Sequence, residues 1–255
     1  MNILVLSPHR DDAAFSLALA IKGWLAAGHR VTVLGVFTRS LSAPYSDADT
    51  VHPNDLLSYV SAMRRREDAQ FLKLLPGLRM VDLNLKDALL RLRCTDAEVY
   101  TLPSNPEDTA IAKIHKALSK QDADQAIDAI LLPLALGHHV DHRVVRDAAL
   151  SFAASHACAF YEDLPDGIAD DGVEIADAVR SELASLRDAK LFAEELTPIV
   201  LRAGADDPAS AAAAKRRIVS VYASQIDDAT IDMISRFSQR YDGGERVWAS
   251  SGWPV

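Results

Sequence analysis

The chain lacks a long apolar run. Its most apolar stretches, such as 126–136, are broken by Asp128 and Pro133 and fall short of the roughly 20 apolar residues that a spanning helix requires. No transmembrane helix and no membrane partner are expected. A secretory signal is missing as well, because the apolar residues 2–6 run straight into charged His9 to Asp12 with no basic leader or small-residue cleavage site. A cytoplasmic location is therefore expected. Cysteine is scarce: Cys94 and Cys158 stand far apart in no Cys-x-x-Cys pairing, which fits a reducing compartment and offers no disulfide framework. Basic excess is absent too. The formal charge is -9, and a phosphate-backbone binder needs a basic face to release counterions. The one basic cluster, Arg64-Arg65-Arg66, is followed at once by Glu67 and Asp68, as on a solvated helix face. No nucleic-acid partner is expected. No Gly-x-Gly-x-x-Gly or P-loop follows any predicted strand, and there is no internal repeat, low-complexity linker or sharp composition break.

The 255 residues, 49% of them hydrophobic, suffice for one large α/β core. Residues 2–6 predict a buried parallel strand, 13–27 a helix capped by Asp11 or Asp12 and ended by Gly28, and 30–37 a second buried strand. Strand, helix, strand in this order implies a right-handed parallel crossover. Residues 38–54 have no period and read as a long loop at the sheet end that carries His9. Helices follow over 55–75, 107–118, 137–154, 177–194 and 209–224. Strands are predicted at 79–83, 129–132, 157–161 and 198–201. The segment 227–255 holds one more helix and a Gly243-Gly244 turn, and Trp248 and Trp253 are expected as packing anchors. The fold class is thus α/β: a single-domain, Rossmann-like three-layer sandwich with a mostly parallel sheet, the site lying at the carboxyl ends of the strands.

Two junctions carry the chemistry. The first strand ends in Ser7-Pro8-His9-Arg10-Asp11-Asp12, and the strand at 129–132 is followed by Gly137-His138-His139-Val140-Asp141-His142. Parallel strands bring both turns to one sheet edge. His139 and His142, three residues apart at a helix start, project to roughly the same side. With His9 and Asp12 they can form a three-ligand site of two imidazoles and one carboxylate with an open position, as catalytic zinc requires. Asp11 and Asp141 remain as acids that can act as a general base or orient a histidine. Helix capping alone explains adjacent aspartates before a helix, but it has no need of histidines at both junctions.

With these residues in place, the chain resembles the PIG-L/LmbE family of metal-dependent N-deacetylases, in its bacterial branch. That family carries His-Pro-Asp-Asp-Glu after its first strand and His-x-Asp-His after a later one. Here these stand as His9-Arg10-Asp11-Asp12-Ala13 and His139-Val140-Asp141-His142. Arg64-x-x-Glu67 looks like the family's Arg-x-x-Glu, and Leu85-Lys86-Asp87-Ala88 resembles its substrate-pocket segment. The stretches 133–137, 161–165, 222–225 and 245–248 are similar to the bacterial branch. The resemblance covers most of the chain and implies one deacetylase domain over 1–255. It implies Zn(II), or Fe(II) or another divalent metal, on His9, Asp12 and His142, with Asp11 as general base. It also implies that His139, supported and kept charged by Asp141, protonates the leaving amine or stabilises the oxyanion. Arg64 and Asp87 match positions that hold a sugar in relatives. Arg10 and Ala13 depart from the pattern, so the pocket rim is expected to differ there. Gly137 stands where some relatives have tyrosine, which leaves oxyanion help from that side to His138.

The implied reaction is hydrolysis of an N-acetyl or other N-acyl group on an amino sugar or small glycoconjugate, a small-molecule partner compatible with a homo-oligomeric enzyme. Two other readings share parts of the pattern. One is a metal-dependent amidase acting on a larger conjugate; the other is a sugar- or nucleotide-binding α/β module without chemistry.

Overall fold

A computed structural model of the chain describes residues 1–168, 176–188, 195–204 and 207–254. Its sheet has seven strands: β1 (Asn2–Ser7), β2 (Arg30–Gly35), β3 (Arg79–Asp82), β4 (Ala129–Pro133), β5 (Ala157–Tyr161), β6 (Thr197–Arg202) and β7 (Gly244–Ala249). They are ordered β3-β2-β1-β4-β5-β7-β6. The pairs among β1 to β5 are parallel, with Leu6 opposite Leu34 and Val5 opposite Leu131. β7 runs antiparallel between β5 and β6. The central strands are apolar on both faces because both faces are covered. Ile3 and Val5 of β1 enter one core with Leu131 of β4, while Leu4 and Leu6 enter the other with Ile130 and Leu132.

Helices α1 (Asp12–Ala26), α2 (Pro53–Leu74), α7 (Pro208–Val219) and α8 (Asp228–Phe237) contribute to the first core. Helices α3 (Ala88–Leu92), α4 (Thr109–Gln125), α5 (Val140–Ala153) and α6 (Ala176–Asp188) contribute to the second. The chain leaves β1 towards β2 and β3 on one side, then returns to place β4 on the other. The loops after β1 and β4 therefore diverge from adjacent strand ends, the topological switch point at which open α/β sheets bind ligands. No helix among the described residues is long and apolar enough to cross a membrane.

Several boundaries move for physical reasons. α2 starts at Pro53, where the missing N–H of proline costs nothing and the His52 side chain accepts from Asn54 N. α4 runs on to Gln125 from its cap at Asp108. Of the helix expected at 177–194, residues 189–194 lie outside the described residues, as does Asp206 of the loop before α7. β7 is an element that the sequence reading did not anticipate, because Glu245 and Arg246 interrupt its apolar pattern. Their charges are met from elsewhere. Arg246 Nε donates to Glu162 Oε1 at 2.6 Å, and Trp248 Nε1 donates to the same oxygen at 2.9 Å. Glu245 pairs with fully buried Lys215 and accepts from the backbone N–H groups of Leu19 (3.1 Å) and Ala20 (2.9 Å). Those donors are in need of acceptors because α1 departs from helical geometry at Leu17 (φ -130°). Trp253 is buried against Trp24, with ring centroids 6.4 Å apart.

Removing Glu245 alone would strand a buried ammonium. Glu245→Ala should lower the unfolding free energy by about 3–5 kcal/mol, read as a drop in urea midpoint, and Lys215→Met combined with Glu245→Gln should recover much of the loss. Equal midpoints for Glu245→Ala and the unchanged protein would mean that the pair holds nothing together.

Candidate metal centre and its pocket

The turn after β1 is fastened before it offers any ligand. Ser7 Oγ donates to His9 O (2.6 Å) and accepts from Ala13 N (3.0 Å), and Asp12 Oδ2 accepts from His9 N (2.6 Å). The expected cap by Asp11 or Asp12 is not what starts α1: Asp11 sits at the N-cap position but makes no side-chain cap bond. Freed from capping, its carboxylate accepts from Arg64 Nη2 at 2.9 Å.

His9, Asp12 and His142 converge. His9 Nδ1 lies 3.5 Å from Asp12 Oδ2, His142 Nε2 lies 3.4 Å from the same oxygen, and the two nitrogens are 3.4 Å apart. Donor atoms around a tetrahedral ion with bonds of about 2.0–2.1 Å are separated by about 3.3–3.4 Å. The three side chains are therefore spaced as ligands of one ion. Each imidazole turns its other nitrogen to a carboxylate, His9 Nε2 to Asp141 Oδ2 (3.1 Å) and His142 Nδ1 to Asp163 Oδ1 (2.6 Å). Such partners fix the tautomer, leaving Nδ1 of His9 and Nε2 of His142 as the lone-pair donors. In the ion-free chain protons act as the cation. Burial opposes charging His9, yet Asp12 and Asp141 hold its pKa well above the ordinary value. Burial likewise opposes charging His142, but Asp12 and Asp163 push it up to about 9.

Asp141 is wholly buried, and its carboxylate is fully engaged: Oδ1 accepts from Arg91 Nη2 (2.8 Å), and Oδ2 accepts from Ala88 N (2.9 Å) and meets His9. Burial acts to raise its pKa, but the hydrogen bond from His9 and the charges of His9 and Arg91 hold it well below the usual carboxylate range. The expectation that Asp141 supports His139 and keeps it charged is thus corrected. His139 caps α5, its Nδ1 accepting from Asp141 N at 3.1 Å. That bond places the proton of the neutral ring on Nε2. Burial and the facing charges of His9 and His142 bring its pKa down to about 3.

Around these groups lies a cavity of about 290 Å³, at the lower end of the ligand-pocket range. It is lined by His9, Asp11, Asp12, Arg64, Asp87, His139, Asp141 and His142 from the sequence reading, together with Ser40, Ser42 and Pro44 of the loop 38–54. Arg64 and Glu67, one helical turn apart, divide their tasks. Arg64 faces Asp11, whereas Glu67 accepts from Ser224 N (2.9 Å) and Oγ (3.0 Å). The segment 224–225 in turn holds the loop, through Tyr45 N to Ser224 O (3.1 Å) and Gln225 Nε2 to Ser42 O (3.3 Å). Asp87 is buried, caps α3 through Leu90 N (3.1 Å) and bonds Ser40.

His138 does not line the cavity; its Nδ1 lies 3.1 Å from Glu182 Oε1, so the expected oxyanion help from it is withdrawn. The expected change of rim at Arg10 and Ala13 is also withdrawn. Ala13 is buried, and Arg10 turns away to ion-pair with Asp68 and Asp82 while Nε donates to Thr38 O (3.1 Å). Nor do Glu245 and Arg246 reach the pocket. Four residues that were not anticipated belong here. Asp163 stands two residues beyond β5, an acid past a parallel strand, and this was a readable signal. Arg91, Tyr100 and Asp166 come from stretches without periodicity; Tyr100 sets its ring edge-on to His139 at 5.4 Å.

Comparison with known proteins agrees with this geometry. A family model described as PIG-L, GlcNAc-PI de-N-acetylase, matches residues 4–153. A 2'-N-acetylparomamine deacetylase from Streptomyces fradiae is 30% identical over 254 residues, covering 96% of this chain and 80% of the relative. One from Niallia circulans is 28% identical over 184 residues, covering 64% and 66%. Among solved structures, a deacetylase-bog complex in the biosynthesis pathway of teicoplanin superposes with a TM-score of 0.67 at 21% identity, over 98% of this chain and 97% of the other. The matched segment contains all three converging donors, and on that footing the chain belongs to the PIG-L family of N-deacetylases.

Proposed function

We propose that the protein is a zinc-dependent hydrolase that removes the N-acetyl group from an amino sugar or small amino-sugar conjugate, with residues 1–255 acting as one deacetylase unit. The reading is carried by one observation: a ligand triangle with edges of 3.4–3.5 Å beside a carboxylate that takes no part in it. His9, Asp12 and His142 would hold the ion, and a donor set of two imidazoles and a carboxylate suits zinc. A divalent ion held there supplies an electrophile that acidifies water and polarises an acyl oxygen. The two deacetylases of S. fradiae and N. circulans, named for an N-acetylated amino sugar, support the substrate class.

Asp11 is the general base. Arg64 fixes one of its oxygens, and a carboxylate oxygen of Asp11 lies within 4.8 Å of the donor atoms of His9 and Asp12. It takes a proton from the attacking water as the new C–O bond forms. The same proton then passes to the departing nitrogen as the C–N bond breaks, because an amide anion is a very poor leaving group. The products are acetate and the free amine. His139, neutral with its proton on Nε2, donates a hydrogen bond to the acyl oxygen as charge gathers there. Arg64 and Asp87 line the sugar side of the cavity.

Metal analysis coupled to an amine-release assay on N-acetylated amino sugars tests this reading. Less than about half a divalent ion per chain after zinc loading, with no amine released, would defeat it in favour of a binding module. Asp11→Asn should keep its ion while turnover falls about 10²- to 10⁴-fold; full activity in that variant would remove Asp11 as the base. Asp163→Ala should weaken metal affinity by about 10- to 100-fold in competition with a chelator, since His142 would lose the partner that orients it. An unchanged affinity would show that His142 needs no such partner.

A further inference from the structure

The lining of the cavity is unusually rich in carboxylates for a site meant to receive a neutral acetamido sugar. Among the described residues six aspartates line it, and Arg64 is the only lysine or arginine that does. Asp11 is matched by Arg64, and Asp141 by Arg91 and His9. Asp87, Asp96 and Asp166 have no lysine, arginine or histidine partner among the described residues. Asp96 is exposed to solvent, and Asp87 is met by Leu90 N and Ser40; Asp166 has neither.

Asp166 is the least explained of them. It makes no hydrogen bond or ion pair among the described residues, yet it sits deep enough for burial to push its carboxyl up to about 6. The neighbouring backbone makes room for it. Gly137 has φ +73°, and a Cβ on it would come within 2.7 Å of Asp166 Cβ and Cγ and 2.9 Å of Oδ2. The space that any side chain at 137 would fill is thus occupied by a carboxylate delivered from the loop after β5. Tyr100 and Asp96 line the same cavity, and after burial the charges of Asp166 and Asp96 raise the Tyr100 pKa. A half-buried charge without a counter-charge carries part of the cost of burial, and an ammonium group brought by the ligand removes it.

We infer that Asp166, seated on Gly137 and assisted by Asp96, is a specificity-determining residue that binds a second, free ammonium group of the substrate, so that the enzyme acts on amino sugars carrying further unacylated amines. The inference rests on the deacetylase reading above. A hydroxyl ligand would be satisfied equally by an amide side chain, whereas an ammonium requires the charge. Asp166→Asn therefore separates the two.

The experiment compares 2'-N-acetylparomamine, whose aminocyclitol ring bears two free amines, with the same molecule carrying those amines as acetamides, for the zinc-loaded enzyme and its Asp166→Asn variant. The expected result is an about tenfold or larger fall in kcat/KM for the cationic substrate, carried mainly by KM and weakened by added salt. The capped substrate should change by less than about twofold, within the usual effect of a polar substitution, and metal content should stay the same. Equal losses on both substrates, no loss on either, or loss of metal would each overturn the inference. Calorimetry with paromamine itself requires no turnover. Tighter binding to the unchanged protein than to Asp166→Asn, with neither amide hydrolysed, would sink the deacetylase reading and leave the ammonium site standing. Equal binding to both proteins would sink the ammonium site alone.

Discussion

Three donors held 3.4–3.5 Å apart, two imidazole nitrogens and a carboxylate oxygen, turn their lone pairs towards one another, and a cation among them, a proton or a metal ion, removes that repulsion. Much of the surrounding structure serves to keep that arrangement. Asp163 and Asp141 hold the outer nitrogens of His142 and His9, and Arg91 and the N–H of Ala88 hold Asp141. Each layer neutralises the one inside it, so the charge pattern alternates outward from the donors. Arg91 extends this further, pairing also with Asp108 at 2.8 Å. A fully buried carboxylate such as Asp141 is tolerated because all of its partners are fixed, and a partly satisfied network would be worse than an apolar core.

The sheet supplies the registration. β1 and β4 are hydrogen-bonded neighbours, and their following turns start from adjacent strand ends. His9 and His142 thus come from rigid places: one is held by Ser7 and Asp12 just past a strand, the other lies in the first turn of α5. Arg10 shows how far the scaffold takes part. In place of the family's proline it reaches out from the ligand turn to Asp68 of α2 and Asp82 of β3. Asp68 also accepts from Tyr222 at 3.1 Å. Arg10 braces the turn by two ion pairs, a buried one with Asp68 and a partly exposed one with Asp82, so the position acts on the placement of His9 and Asp12 without lining the pocket.

Much of this was legible in the sequence, for identifiable reasons. Strands apolar on both faces stand out as continuous runs, and β1, β2, β4 and β5 are of that kind. The two His/Asp turns were legible because strand-to-helix junctions of a parallel sheet share an edge. What could not be read depends on partners far along the chain. β7 hides behind Glu245 and Arg246, whose burial makes sense only once Lys215 and Glu162 are known to face them. The assignment of Asp141 to His139 failed on helix geometry. Residues two apart do not face each other at a helix start, so the carboxylate swings to His9 while only the backbone N–H meets His139. Asp163 just beyond β5 was visible as an acid, but its partner His142 was not, and the place of Asp166 in the pocket was hidden because it depends on the glycine at 137.

The separation between the donor triangle and the wall of the pocket follows from where each group is rooted. His9, Asp12 and His142 sit at the ends of buried strands and in the first turns of packed helices, whereas Ser40, Asp87, Asp96, Tyr100 and Asp166 lie on loops or short helical turns after β2, β3 and β5. Loops tolerate substitution and insertion far better than packed elements do. A side chain at 137 can therefore give way to glycine and a carboxylate from 166 while the donor triangle stays intact, because packed elements fix the triangle and loops form the pocket wall.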